Sequence, residues 1–203
     1  KEIHEQIDTI SNTITGRAKK DRVYLNGLLE YWAQIKEADK IFITACGTSW
    51  HAGLIGKNLI ERFAKIPVHV EYASEFRYNK TLIDNNSVVI AISQSGETAD
   101  TLAAIKKANE HGAITVGICN VPGSSVSRET NCGIFTRCGH EVGVASTKAF
   151  TAQISILYLL ALKLAASNDA ISKASLRSHL DFSDSIKKIK NVLKKENEIK
   201  KIA

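Results

Sequence analysis

Ser87-Val88-Val89-Ile90-Ala91-Ile92-Ser93-Gln94-Ser95-Gly96-Glu97-Thr98 passes from an apolar run straight into a loop rich in hydroxyls. Its apolar residues are consecutive, not alternate, so the run reads as a strand buried on both faces, as in a parallel sheet covered by helices. Runs of the same kind lie on either side: Lys40-Ile-Phe-Ile-Thr-Ala-Cys46, Val68-His-Val-Glu-Tyr-Ala73, Ile114-Thr-Val-Gly-Ile-Cys119 and Gly133-Ile-Phe-Thr-Arg-Cys138. Helical spacing fills most of the intervals, at about 50–65, 98–111 and 147–166. Strand and helix alternating in this way predict right-handed crossovers and a doubly wound α/β sheet. The connection between Cys119 and Gly133 holds Pro122, Gly123 and three serines, and reads partly as loop.

The flanks have a different rhythm. Ile3, Ile7, Ile10 and Ile14 recur at three- and four-residue steps, which predicts a helix that Gly16 ends, and a second short helix is expected over 25–36. After Ser167 a long polar helix is expected, capped by Asn168 or Asp169, with Ile171, Leu176, Leu180, Ile186 and Ile189 as a sparse apolar stripe. The chain divides on this reading into a helical lead-in (1–36), an α/β domain (37–168) and a C-terminal helix (169–203) leading toward a further domain. The chain starts at Lys1 and holds no methionine, which reads as a segment of a longer protein.

The net charge of +6 is concentrated in Lys187, Lys188, Lys190, Lys194, Lys195, Lys200 and Lys201. No stacking aromatics or recognised motif accompany them, so the tail reads as a solvated helix face and no nucleic-acid partner is expected. Ile154 to Ala166 is the longest apolar run; it is interrupted by Lys163 and reads as a buried helix, with no membrane span expected. Four irregularly spaced cysteines suggest reduced thiols and a cytoplasmic protein. Cys132, Cys138 and His140 make no paired metal-binding motif, and no metal is expected.

Three polar clusters fall where open α/β sheets bind ligands, after the carboxyl ends of strands. The first is Ser93-Gln94-Ser95-Gly96-Glu97-Thr98. It sets three hydroxyls, an amide and a tight-turning glycine at a helix N-terminus, where N–H groups and the helix dipole favour an anion. It lacks the lysine of a nucleotide-binding P-loop, so a phosphomonoester on a small molecule suits it, while simple capping by Ser95 or Thr98 is equally compatible with the pattern. The second is Cys46-Gly47-Thr48-Ser49, in which capping by Thr48 and Ser49 is the plainer reading and Cys46 is more readily packing than nucleophile. The third is Glu141-Val-Gly-Val-Ala-Ser-Thr-Lys-Ala-Phe150. There Ser146 and Thr147 are natural caps, and Lys148 opposes the helix dipole unless an anion or carboxylate lies near.

These clusters, in this order and joined by Glu71-Tyr-Ala-Ser-Glu-Phe-Arg77 and Ile118-Cys-Asn-Val-Pro-Gly-Ser-Ser125, resemble the SIS (sugar isomerase) domain family. They are most similar to its hexosamine-forming aminotransferases, and Lys1-Glu-Ile-His-Glu-Gln6 resembles the start of their isomerase region. The resemblance implies a five-stranded parallel sheet flanked by helices, flavodoxin-like in winding. It implies a parent activity that moves the amide nitrogen of glutamine to fructose 6-phosphate and isomerises the product to glucosamine 6-phosphate. It also implies that Ser93, Gln94, Ser95 and Thr98 hold the substrate phosphate, and that Thr48, Ser49 and the backbone at Val144 and Ala145 contact the sugar. No metal or organic cofactor is implied, and a homodimer is. The groups that move the proton, open the ring and complete catalysis belong by resemblance to a second lobe, so no catalytic residue is assigned and the segment is expected to be inactive alone. Another SIS isomerase or deglycase is the nearest alternative. A non-catalytic sugar-phosphate sensor is the other, and would be expected beside a DNA-binding helix-turn-helix.

Overall fold

Val88, Ile90 and Ile92 pack into the core on one side of a sheet, and Val89 and Ala91 into the cores on the other. That alternation of destination, with every residue buried, is the two-sided burial the run predicts. The computed structural model describes residues 1–80 and 82–202. Its sheet consists of β3 (Lys40–Ala45), β4 (Val68–Tyr72), β5 (Ser87–Ser93), β6 (Ile114–Cys119) and β7 (Cys132–Phe135), in the order β4-β3-β5-β6-β7 with every neighbouring pair parallel. Counted by appearance this is the flavodoxin-like winding, whose switch point lies between the first and third strands, here β3 and β5. In register, Ala45 pairs with Ile92 and Ser93 with Cys119, so the loops leaving β3, β5 and β6 emerge side by side.

Helix α3 (Gly47–Ala64) follows β3 and packs beside α7 (Lys148–Ser167), with Ile60, Ile156, Leu157 and Leu160 buried in the larger core. On the opposite face lie α4 (Ala73–Phe76), α5 (Ala99–Glu110) and α6 (Ser125–Glu129), the last within the connection whose sequence reads partly as loop. Helix α7 has 20 residues and a mean hydropathy of 1.6, enough to cross a membrane, yet 67% of that window is buried within the fold. It is the sheet's covering helix, as Ile154 to Ala166 suggests.

Ahead of the sheet, α1 (Gln6–Ile14) packs along α7 through Ile10 and Ile14. A small hairpin, β1 (Ala18–Lys19) and β2 (Arg22–Val23), then follows where no strand is expected. The expected helix over 25–36 is divided into a 3-10 turn, Asn26–Leu28, and α2 (Trp32–Lys36). Strand β7 ends at Phe135, short of Cys138, and residues 136–147 form an irregular segment.

The expected single C-terminal helix is instead three: α8 (Lys173–His179), α9 (Ser183–Leu193) and α10 (Glu196–Ile202). Ala203, the last residue of that expectation, lies outside the described residues. Asn168 and Asp169 end α7 where the sequence suggests they begin a helix. Asp169 adopts φ +53°, and Ala170 N–H returns to Ala165 O at 2.8 Å, a Schellman closure made by a residue type that tolerates the left-handed region. Ser172 is the cap of α8, accepting from Ser175 N–H at 3.2 Å.

Candidate functional site

The β5–α5 loop is closed by its own side chains. Ser93 is buried, and its Oγ accepts the Gly96 N–H at 3.0 Å while sharing a 3.1 Å hydrogen bond with Thr98 Oγ1. Ser95 Oγ accepts the Glu97 N–H at 3.2 Å. Gly96 sits at φ +71° directly against Ser124, where an added Cβ would lie 2.1 Å from the serine Oγ and 2.5 Å from its Cβ. Both the conformation and the space therefore demand glycine.

Three further bonds tie this loop to its neighbour after β6. Asn120 N–H donates to Gln94 O at 3.3 Å, and Val126 N–H donates to Gly96 O at 2.9 Å. Glu97 Oε1 accepts the Ser125 N–H at 2.8 Å, and hydrogen bonds from the Ser125 hydroxyl and backbone hold the carboxyl below the usual carboxylate range.

Thr98 occupies the N-cap position of α5 with extended backbone, but its hydroxyl is turned to Ser93 and no side chain caps the helix. Simple capping by Ser95 or Thr98 is thereby ruled out. The positive end of α5 opens beside the Ser95 and Thr98 hydroxyls and the half-buried Gln94, a set that suits an anion.

At the neighbouring strand end, Cys46 takes the N-cap position of α3 with extended backbone, and Thr48 and Ser49 lie inside the first turn. The capping expected of Thr48 and Ser49 is therefore not what they do. Ser49 is buried and accepts a 3.0 Å hydrogen bond from Gln153 Nε2 of α7, which joins the first turn of α3 to the second turn of α7. The Gln153 Oε1 has no partner among the described residues. Thr48 is half-buried at the same end of the sheet.

The third cluster differs from its expectation too. Helix α7 is capped by Glu141: the buried carboxylate accepts the Thr147 N–H at 2.6 Å and the Ala149 N–H at 2.8 Å. Thr147 holds the N-cap position without a side-chain cap bond, and the Ser146 hydroxyl is buried with no partner among the described residues. Lys148, which opposes the dipole, is paired. Its side chain is only 5% exposed and Nζ lies 2.5 Å from Glu5 Oε2, so the carboxylate that relieves the conflict comes from the lead-in. The Glu5 hydrogen bond pushes the ammonium pKa up, and the same bond pulls the Glu5 carboxyl down.

Val144 and Ala145 are exposed at the tip of this segment. The topology brings them to the end of the domain that carries the β3 and β5 loops, because α7 begins beside α3's first turn. The structure sets Thr48, Ser49 and Ser93–Thr98 on adjacent strand ends and Val144–Ala145 at the head of α7.

Sequence reasoning misses Ser124, Asn120, Glu2 and Glu5. Ser124 lies within the quoted motif Ile118–Ser125, and its closeness to Gly96 needs the sheet order. Asn120 spans two segments: its Oδ1 accepts the Cys138 N–H at 3.0 Å and its Nδ2 donates to Gly139 O at 2.7 Å.

Residues 34–163 match the SIS domain family. The chain belongs to the SIS domain family. This SIS domain is 50% identical over its whole length to a glutamine–fructose-6-phosphate aminotransferase (isomerizing) of Chlorobaculum tepidum, covering 33% of that protein. It is 49% identical to the enzyme of the same name from Bacteroides thetaiotaomicron, covering 34% of it. The chain thus spans about a third of the length of these curated relatives. Among solved structures, the C-terminal domain of glucosamine-fructose-6-phosphate aminotransferase from Francisella tularensis superposes with a TM-score of 0.87 at 36% identity, over 99% of this chain and 57% of that one. A glucosamine-6-phosphate deaminase from Thermotoga maritima shares the fold at a TM-score of 0.69 and 20% identity, over 90% of this chain and 52% of that one.

Proposed function

We propose that this SIS domain anchors the phosphate of fructose 6-phosphate or glucosamine 6-phosphate for a glutamine–fructose-6-phosphate aminotransferase. The observation that carries the reading is the β5–α5 loop, where Thr98 stands at the cap position, leaves α5 without a side-chain cap and turns its hydroxyl to that of Ser93, with the Ser95 hydroxyl exposed in the same loop. An uncapped helix start beside convergent hydroxyls is suited to a phosphomonoester. The name shared by relatives at 50% and 49% identity supports the choice of sugar phosphate. Ser93, Gln94, Ser95 and Thr98 are assigned to the phosphate. Thr48, Ser49 and the backbone of Val144 and Ala145 are assigned to the sugar.

Residues 37–168 form the anchoring unit on this reading, with 1–36 leading in and 169–203 leading out. The groups that transfer nitrogen and move protons between C1 and C2 are assigned to the part of the longer relatives that this chain does not match. The chain alone therefore binds without turnover. Phosphate binding remote from the reacting carbons holds C1 and C2 in place for those groups.

A homodimer is the expected assembly, supported by α9 and α10, which bury no residue of their own and leave Val192, Ile199 and Ile202 exposed. A cytoplasmic location is supported by the four cysteines, all of them free thiols.

Calorimetric titration of fructose 6-phosphate, beside fructose, tests the reading. We expect a Kd between about 10 µM and about 1 mM, since ordering costs offset most of the contact energy. Fructose should not bind, and Ser95→Ala with Thr98→Val should weaken the sugar phosphate at least about tenfold. Equal binding by that variant and the parent chain would remove the loop from the assignment.

A further inference from the structure

Residues 137–147 have no helix or strand to organise them, so their shape depends on side chains that reach their backbone. Three carboxylate or amide side chains do so. Asn120 holds Cys138 and Gly139, Glu141 holds Thr147 and Ala149, and Glu2 holds the stretch between: its Oε1 accepts the Val142 N–H at 2.6 Å and its Oε2 the Gly143 N–H at 3.3 Å. Those two amides immediately precede Val144 and Ala145. One turn along the lead-in, Glu5 pairs with the buried Lys148 just beyond them.

The contact is continued deeper in the fold. Thr13 Oγ1 donates to Thr136 O at 2.7 Å, and Arg17 Nη2 donates to Phe135 O at 2.6 Å. The lead-in therefore grips the chain from the end of β7 to the start of α7 at four places. Glu2, Glu5, Thr13 and Arg17 all lie outside residues 34–163, the part that matches the family.

We propose that Glu2 and Glu5 are positioning residues for the sugar site: they clamp the Val142–Lys148 segment so that the Val144 and Ala145 backbone faces the substrate. The inference rests on the assignment of Val144 and Ala145 to the sugar, and it deepens that assignment by giving the lead-in a part in binding. A carboxylate accepting two consecutive backbone N–H groups fixes the orientation of the peptide between them, and with it the direction of the next one. The low Glu2 carboxyl pKa, caused first by the Val142 N–H, fits an ionised clamp at neutral pH.

The test uses the 203-residue chain with Glu2→Ala, Glu2→Gln and Glu5→Gln. Amide hydrogen exchange is read at Val142 and Gly143, and calorimetry compares fructose 6-phosphate with inorganic phosphate. The expected result for Glu2→Ala is exchange at both amides faster by about tenfold or more and fructose 6-phosphate weakened by about tenfold, with inorganic phosphate unchanged. Glu2→Gln, which keeps one acceptor, should fall between Glu2→Ala and the parent chain. A merely structural role would weaken both ligands together or neither. Unchanged exchange, or faster exchange with the two ligands weakened equally, overturns the proposal while leaving the phosphate loop in place. Failure of the parent chain to bind fructose 6-phosphate overturns the site assignment itself, and the positioning role with it.

Discussion

The two loops at the ligand end of the sheet are built in opposite ways. The β5–α5 loop is closed by near neighbours: Ser93 on Gly96 and Thr98, Ser95 on Glu97, with Ser124 and Ser125 packed against it from the next crossover. The β7–α7 segment is held largely from afar, by Glu2 and Glu5 from the opposite end of the chain and by Asn120 from the end of β6. A loop of the first kind forms with its own strand and helix and the adjoining crossover, and its cost of ordering is small. A loop of the second kind has its shape only when the lead-in has docked, so its order is conditional. The first suits a fixed anchor for the invariant part of a substrate, and the second suits a contact that is made or withheld.

The largest expected effect breaks the local loop. Gly96→Ala places a methyl 2.1 Å from Ser124 Oγ at a φ of +71°. A left-handed alanine costs roughly 1–2 kcal/mol and the overpacking a further ~1–3 kcal/mol. Gly47, at φ +56° with nothing within 4 Å of an added Cβ, is the internal control, and Gly47→Ala should carry only the conformational share. Urea midpoints for the two variants should therefore differ, and adding Ser124→Gly to Gly96→Ala should restore the steric share alone. Equal losses at the two glycines would mean that Ser124 does not define the loop.

Next in size is the distant loop's own cap. Glu141→Ala removes the acceptor for the Thr147 and Ala149 N–H groups at a buried position, at a cost of about 2 kcal/mol. Because the segment is held at several independent points, the loss should stay there. Hydrogen exchange at Thr147 and Ala149 should rise while Gly96 and Glu97 remain protected. Deprotection that spreads to the β5–α5 loop would erase the distinction between the two.

This contrast also explains what the sequence reveals. Runs such as Ser87–Ser93 and Ile114–Cys119 show their burial in their composition, and the sheet with its covering helices follows from them. The position of the Ser93–Thr98 loop at a strand end is legible for the same reason. Its internal bonding is not, because the pattern of hydroxyls serves capping as well as it serves a turn, and only the geometry turns Thr98 toward Ser93. Ser146 and Thr147 resemble caps for α7 by type and place, yet a carboxylate six residues upstream of Thr147 takes the role through a loop no local rule predicts. Lys148 carries a partial signal: its conflict with the dipole calls for a nearby carboxylate, and Glu5 is too far along the chain to be named as that partner. The three C-terminal helices were hidden by one polar pattern, in which Asp169 is as credible a start as it is a stop.

The smallest effect, and the finest test of the comparison, is in the acid response. Glu97 in the local loop and Glu5 in the distant one both have carboxyls held below the usual range, the first by hydrogen bonds from Ser125 and the second by the hydrogen bond from Lys148. A carboxylate whose folded pKa is depressed contributes stability that is present above its unfolded value, about 4.3, and is lost as pH falls through the folded value. Both loops should therefore loosen below about pH 4. The consequences differ, since protonated Glu97 loosens only neutral donors of the half-buried Ser125, whereas protonated Glu5 leaves the ammonium of Lys148 charged at a site 5% exposed. Lys148 adds a second limit: its pKa is raised, so the increment it shares with Glu5 is present below about pH 10.4 and is lost as pH rises through the raised value. The stability gap between the parent chain and Glu5→Gln should thus be flat from about pH 5 to about pH 10 and close at both ends, while the gap for Glu97→Gln closes only in acid. Urea midpoints across that range measure both. A Glu5→Gln gap that does not change with pH would show that the Glu5–Lys148 charge pair adds nothing to holding the lead-in, leaving that grip to packing and to the Glu2, Thr13 and Arg17 hydrogen bonds.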